Sequence, residues 1–273
     1  MRIAGRVSTG KQIFSDCCTL IFEADDMTLP PALHGFYAGR LVTREDVWPA
    51  VVSFSGKPGN EADVLLNSSA ALADNQPSAL EIYAEILPSD CTMFSELTEK
   101  ECREYLALAL QQAENYPREL TFHTSHSDET QALAQALSNS LHPGDLIVLQ
   151  GDLGAGKSVF ARGIARGLEI ACPIPSPTFT ILNVYEEGRV PFYHFDWYRI
   201  EDPEELDVMG AGDYIRGNGV TAVEWAERAP EKLGDQFLLV NIEKQADERL
   251  IGLHCAGLFR SLNRQMLPEA LKC

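Results

Sequence analysis

Asp145-Leu146-Ile147-Val148-Leu149-Gln150 runs directly into Gly151-Asp152-Leu153-Gly154-Ala155-Gly156-Lys157-Ser158, and this junction decides the fold. The first stretch is an uninterrupted apolar run of strand length, as expected for a strand covered on both faces. The second matches the spacing G-x-x-x-x-G-K-[ST]. Its glycines let successive backbone N–H groups curl into one concavity that suits an anion. Val159 to Leu168 then reads as a helix, whose free N–H groups and positive dipole end face the same anion. Strand, glycine-rich loop and helix in this order point to a cradle for nucleotide phosphates. Lys157 is placed to meet the β- and γ-phosphates, and the Ser158 hydroxyl to bind Mg²⁺. Asp152, Leu153, Gly154, Ala155, Gly156 and Val159 complete the set of nucleotide-binding candidates.

Upstream of the junction, Glu119 to His123 reads as a strand. Ser127 is placed to cap a helix opened by Asp128-Glu129 that runs through Leu133, Ala136 and Leu137 towards Leu141, and Pro143-Gly144 makes a turn. Downstream, Thr178 to Glu186 and Val190 to Arg199 are strand-like and joined at Glu187-Gly188, which predicts an antiparallel hairpin. Gly219 to Trp225, Phe237 to Ile242 and Arg249 to Cys255 are further strands. The expected architecture is α/β: a P-loop NTPase-like mixed sheet with helices on both faces.

A boundary is expected at Asn115-Tyr116-Pro117-Arg118. There an amphipathic helix ends that starts with the capping box Thr98-Glu99-Lys100-Glu101 and carries Cys102, Tyr105, Leu106, Ala109, Leu110 and Ala113 at helical spacing. Pro117 stops it. This divides the chain into residues 1–117, a smaller α+β accessory domain, and 118–273, the nucleotide-binding domain. In the first part, Ile13 to Phe22, Gly39 to Thr43, Ala50 to Phe54 and Leu80 to Leu87 read as strands, and Phe36-Tyr37, Trp48 and Phe54 as core. Gly5-Arg-Val-Ser-Thr-Gly10-Lys11-Gln12 nearly repeats the phosphate-loop pattern, but Gln12 lacks the required hydroxyl position and only four residues precede Gly5. A mobile or hairpin N-terminus is the better reading.

The chain has 273 residues and a formal charge of −18, of which residues 1–118 carry −8 and the remainder −10. Neither part is a charged tail, and this balance argues against coating nucleic acid or an anionic membrane by bulk charge. No apolar run approaches the roughly 18 residues that span a bilayer, and Met1 to Asp16 has no apolar core of a secretory signal. Seven dispersed cysteines without a C-x-x-C fit reduced thiols in a cytoplasm.

Phosphate loops serve many ends. No Asn-Lys-x-Asp follows the loop, which disfavours a GTPase, and no Leu-Ser-Gly-Gly is present, which disfavours a transporter-type ATPase. Ser176-Pro177-Thr178-Phe179-Thr180, His194-Phe195-Asp196-Trp197-Tyr198-Arg199 and Val223-Glu224-Trp225 do follow. A carboxylate at a strand end beside such a loop is where a second Mg²⁺ ligand or a water-positioning group belongs, and Asp196 and Glu224 are the two candidates. Competing readings make Asp196 a turn cap or a partner of Arg199, Trp225 core filler, and His194 a satisfied structural histidine. His123-x-x-His126 reads better as polar linker than as a metal site.

GDLGAGKS, SPTFT, HFDWYR and VEW, in this order and spacing, closely resemble the TsaE (formerly YjeE) family over about Glu119 to Ile242. The resemblance implies a cytoplasmic, Mg²⁺-dependent ATPase of bacterial tRNA threonylcarbamoyladenosine synthesis. Such an enzyme acts on the TsaB–TsaD assembly that modifies adenosine 37, and reaches tRNA only through that complex. It further implies Lys157 as the P-loop lysine, Ser158 as the Mg²⁺-binding hydroxyl (usually Thr in the family), Glu224 as the Mg²⁺-associated glutamate, Trp225 as the tryptophan beside the nucleotide, and Asp196 as the aspartate needed for hydrolysis. Thr178 and Thr180 fall in its switch-like segment, and Trp197 is bulkier than the aliphatic residue expected there. The alternatives are a P-loop small-molecule kinase, which usually needs Arg-bearing lids, and a nucleotide-sensing module that does not hydrolyse.

Overall fold

The computed structural model describes residues 2–8, 12–14, 17–25, 34–43, 47–55, 61–66, 76–87, 97–113 and 117–257, and then 259, 260, 262, 264–268 and 271. The chain falls into two compact units, Met1–Tyr116 and Pro117–Cys273.

The first unit holds β1 (Arg2–Ser8), β2 (Gln12–Phe14), β3 (Cys17–Ala24), β4 (His34–Val42), β5 (Val47–Ser55), β6 (Glu61–Leu66), β7 (Gln76–Leu87) and α1 (Glu99–Ala113). Its sheet runs β1-β7-β4-β5-β6-β3-β2, and β1 also pairs with β3, so six antiparallel strands close into a ring. Strand alternation sorts the side chains. Tyr37, Leu41, Ala50, Val52, Val64 and Leu66 join the interior cluster, with Trp48 half-buried against it. Their neighbours Phe36, Ala38, Val51 and Leu65 point outward and pack under Cys102, Leu106 and Ala109 of α1. Beyond the helix, the outward positions of β3 and β6 become exposed Ile21, Glu23, Glu61 and Asp63. The capping box forms as its spacing predicts: Thr98 N–H donates to Glu101 Oε2 at 2.8 Å, and Glu101 N–H to Thr98 Oγ1 at 3.3 Å.

The strands of this unit differ from expectation. The strand expected over Ile13 to Phe22 is split between β2 and β3. β1 and β6 were not anticipated. β1 contains the start of the near-repeat of the phosphate loop, and its Gly5 to Ser8 are bonded on one side to β3 and, through Val7, on the other to β7. Lys11 of that near-repeat and the side chain of Phe54 lie outside the described residues.

The second unit contains β8 (Glu119–Thr124), α2 (Ser127–Ser138), β9 (Leu146–Gln150), α3 (Lys157–Gly167), β10 (Leu182–Tyr185), β11 (Phe192–Asp196), α4 (Glu204–Val208), α5 (Gly212–Ile215), β12 (Val220–Glu224), β13 (Phe237–Gln245) and β14 (Glu248–Ala256). It is an α/β unit with a mixed sheet, ordered β10-β11-β12-β9-β13-β14-β8. β11, β12, β9 and β13 are parallel, while β10, β14 and β8 are antiparallel additions at the edges. The apolar run of β9 is explained by two cores. Ile147 and Leu149 face α2 and α3 with Leu133, Phe160 and Ile164. Leu146 and Val148 face the other layer with Trp197, Leu206 and Ile215. Glycines set the closeness of α2 and α3: a Cβ at Gly163 would lie 2.5 Å from the Gln131 carbonyl oxygen and 2.6 Å from Ala134 Cβ.

Some boundaries differ from expectation. Ser127 lies inside α2, whose N-cap is His126; the Glu129 carboxylate takes the Ser125 N–H instead, at 2.6 Å. The hairpin strands are shorter than the sequence pattern indicates, because Pro177 to Ile181 form a turn in which Ile181 N–H bonds back to the Pro177 carbonyl.

Candidate functional site

The parallel register brings the strand ends together. Asp196 at the end of β11 lies opposite Glu224 at the end of β12, and Glu224 opposite Leu149 of β9, after which the glycine-rich loop departs. Crevices outside the carboxyl ends of parallel strands are the usual ligand sites of such sheets. Here the crevice has a volume of about 380 Å³ and is lined by Leu153, Gly154, Gly156, Lys157, Ser158, Val159, Ser176, Thr178, Asp196, Tyr198, Glu224 and Trp225.

The loop geometry depends on glycine at two points. Gly151 has φ +147° and its α-carbon lies so close to the Ile242 carbonyl that a Cβ would overlap it. Gly156 has φ +122° and turns the chain into α3. The first residue of that helix is Lys157, whose ammonium bends back to donate to the carbonyls of Gly151 at 2.6 Å and Asp152 at 3.0 Å. It also sits 4.0 Å from the centre of the Trp225 ring. Burial pushes its pKa down, opposed by the negative charges of Glu224, Glu227, Asp196 and Asp152. A buried cation that donates to backbone carbonyls, held at the mouth of a loop of N–H groups, is disposed to receive an anion.

Ser158 Oγ donates to Glu224 Oε2 at 3.2 Å, and Glu224 Oε1 is 2.9 Å from His194 Nε2. Asp196 is engaged separately. Its Oδ2 accepts from Thr178 Oγ1 at 2.5 Å and Ser176 Oγ at 3.3 Å, and its Oδ1 caps the following turn through Tyr198 N–H at 2.9 Å. The two carboxylates are thus adjacent but differently furnished, Glu224 beside the loop hydroxyl and Asp196 beside the Ser176–Thr178 segment. Among the described residues no group of three or more His, Cys, Asp or Glu could hold a metal by itself. The pair Ser158 and Glu224 nevertheless offers two hard oxygen donors, which fits a Mg²⁺ ion that takes its remaining ligands from phosphates and water.

Trp225 follows Glu224 with φ 59°, a left-handed conformation that is costly for a bulky residue, and places its ring beside Lys157 and 5.0 Å from the Tyr198 ring. Trp197 instead is fully buried in the other core against Phe195, so its bulk is accommodated away from the crevice.

Not every candidate converges. Thr180 does not reach Asp196; its hydroxyl donates to Asn183 Oδ1 at 2.9 Å. The Arg199 guanidinium lies over the exposed Phe179 ring, 5.7 Å from its centre, rather than on Asp196. His123 pairs with Glu248 at 2.9 Å. One residue went unnoticed in the sequence: Arg249, at the start of β14, donates through Nε to the Ala155 carbonyl of the loop at 2.7 Å. It also lines a hollow of about 100 Å³ beside the loop, with His126, Thr130, Gly154, Gly156 and Val159. Nothing in its local sequence marks it, since the contact depends on the β9–β13 and β13–β14 pairings that bring this strand towards the loop.

The family model described as "Threonylcarbamoyl adenosine biosynthesis protein TsaE" matches residues 124–251. A tRNA threonylcarbamoyladenosine biosynthesis protein TsaE of Bacillus subtilis is 41% identical over 156 residues, which span 56% of this chain and 94% of that protein. The chain belongs to the TsaE family. A TsaE of Treponema pallidum is 38% identical over 44% of this chain and 89% of that protein, and one of Nostoc 45% identical over 38% and 67%. The crystal structure of Bacillus subtilis YdiB is 37% identical over 51% of this chain and 86% of that one, with a TM-score of 0.44. The TsaE match lies within the second unit and includes all of the crevice residues. No helix of the described residues is long and apolar enough to cross a membrane.

Proposed function

We propose that this TsaE-family chain binds ATP with Mg²⁺ and hydrolyses it in support of the threonylcarbamoyladenosine modification of tRNA position 37, working on the TsaB–TsaD complex in the cytoplasm. The observation that carries this reading is the arrangement at the strand ends: Lys157 and Ser158 on the loop, Glu224 against Ser158, and Asp196 one strand away. Lys157 exchanges its carbonyl partners for the β- and γ-phosphates. Ser158 and Glu224 hold the ion, which neutralises charge building on the phosphates during cleavage. Asp196, with Thr178 against it, orients the attacking water from the facing side. Arg249 steadies the loop from outside, and the hollow beside it has room for part of the nucleoside. Residues 1–116 act as an accessory unit. The charge of −18 supports leaving tRNA contact to the partner proteins.

The test is phosphate release from ATP and Mg²⁺ by the full chain, alone and with TsaB and TsaD, together with copurification of the three with and without residues 1–116. Slow release that depends on Asp196 and responds to TsaB–TsaD supports the proposal. Phosphate transfer to a metabolite, or tight binding without turnover in any combination, overturns it in favour of a kinase or a sensing module.

A further inference from the structure

His194 is fully buried one strand from the crevice, on β11, with its ring stacked against Phe192 at 5.9 Å. Its Nε2 meets Glu224 Oε1 at 2.9 Å, while its Nδ1 has no hydrogen-bond partner among the described residues. A Glu224 that ligates a cation does so as a carboxylate and can only accept, so in that reading Nε2 carries the hydrogen and donates. The orphaned Nδ1 is the informative atom. A buried nitrogen without a partner costs stability, and an apolar side chain beside Phe192 would avoid that cost. Packing therefore does not explain an imidazole here, whereas the bond to Glu224 does.

We propose that His194 is a positioning residue for the divalent ion. Its N–H fixes one oxygen of Glu224 and thereby aims the other, Oε2, at the ion beside Ser158. A single ring N–H suits this task, because a lysine or arginine in its place would bring a permanent charge that competes with the ion for the carboxylate. The proposal rests on the reading that Ser158 and Glu224 hold Mg²⁺. Partners that orient a ligating carboxylate change metal affinity by about 10- to 100-fold when removed.

The experiment titrates Mg²⁺ into the ADP-loaded full chain at buffered free concentrations, following tryptophan fluorescence, and measures ADP affinity separately in EDTA. In His194→Leu the Mg²⁺ midpoint should rise at least about tenfold, with ADP affinity in EDTA unchanged. His194→Gln and His194→Asn form a second, fully polar pair: the glutamine amide reaches the Nε2 position and should keep the midpoint near that of the parent, whereas asparagine reaches only the Nδ1 position and should raise it. An unchanged midpoint in folded His194→Leu, equal midpoints in the glutamine and asparagine variants, or an equal loss of ADP affinity in EDTA each overturns the positioning role. Ser158→Ala separates the two layers of the argument. If its midpoint does not move, the Mg²⁺ reading falls and this proposal with it; if it moves while that of His194→Leu does not, the proposal falls alone.

Discussion

Asp196 and Glu224 are direct neighbours across two parallel strands, yet among the described residues their carboxylates share no hydrogen-bonding partner. Glu224 is tied to the phosphate loop and to a histidine, Asp196 to the Ser176–Thr178 segment and to its own turn. Two acids side by side with separate partners can carry separate roles, and each role is separately removable.

Replacing Asp196 by Asn should leave ATP affinity within about twofold while slowing hydrolysis by about 100-fold or more, the usual scale for a lost group that orients or activates the nucleophile. Single-turnover phosphate release beside equilibrium binding reads both. Wild-type turnover in this variant would falsify its assignment to the attacking side.

Lys157→Ala removes the ammonium held at the loop mouth. A hydrogen bond to a charged group contributes about 1.5–3 kcal/mol, so ATP should bind roughly 10- to 150-fold more weakly. Calorimetric titration with ATP decides the matter, and unchanged affinity would remove Lys157 from the site.

The Arg249 contact with Ala155 predicts a milder effect on the same measurement. Arg249→Ala should weaken ATP binding by about 1 kcal/mol, close to fivefold. Lysine should not restore it, because its ammonium cannot reproduce the directed guanidinium bonds that also reach the backbone carbonyls of Asp247 and Glu248. Full rescue by lysine would mean that charge, not loop geometry, is what Arg249 supplies.

Gly163→Ala offers a test of sign. Helix propensity alone favours alanine by about 1 kcal/mol. Against that stands the Cβ contact with Gln131 backbone and Ala134, and overpacking of this kind costs about 1–3 kcal/mol. The expected outcome is a lower melting temperature by thermal denaturation; a rise would show that α2 yields easily.

Much of the second unit was readable because its signals are local. β9 is apolar throughout since both faces are covered, and the loop's glycines and lysine stand at fixed spacing. The Asp196 and Glu224 positions could be inferred because both terminate apolar strands. What escaped was what depends on pairing across distance. Arg249 meets the loop from 94 residues away, and β1 and β6 declare themselves only by their neighbours. β6 alternates as Glu61-Ala62-Asp63-Val64, with acids outward and apolar groups inward, but its polar half hid the strand. The contrast between Thr178 and Thr180 is of the same kind: the turn ending at Ile181 sends one hydroxyl to Asp196 and the other to Asn183.

The ring of six strands in the first unit has a practical consequence. A closed sheet has a seam, and β1 is the strand that seals it, bonded to β7 on one side and β3 on the other. Trimming Arg2–Ser8 would uncover both of those edges at once, and uncovered edges invite pairing with other chains. A shortened protein cut inside this unit would thus report aggregation rather than function, and the useful cut is the one between Tyr116 and Pro117.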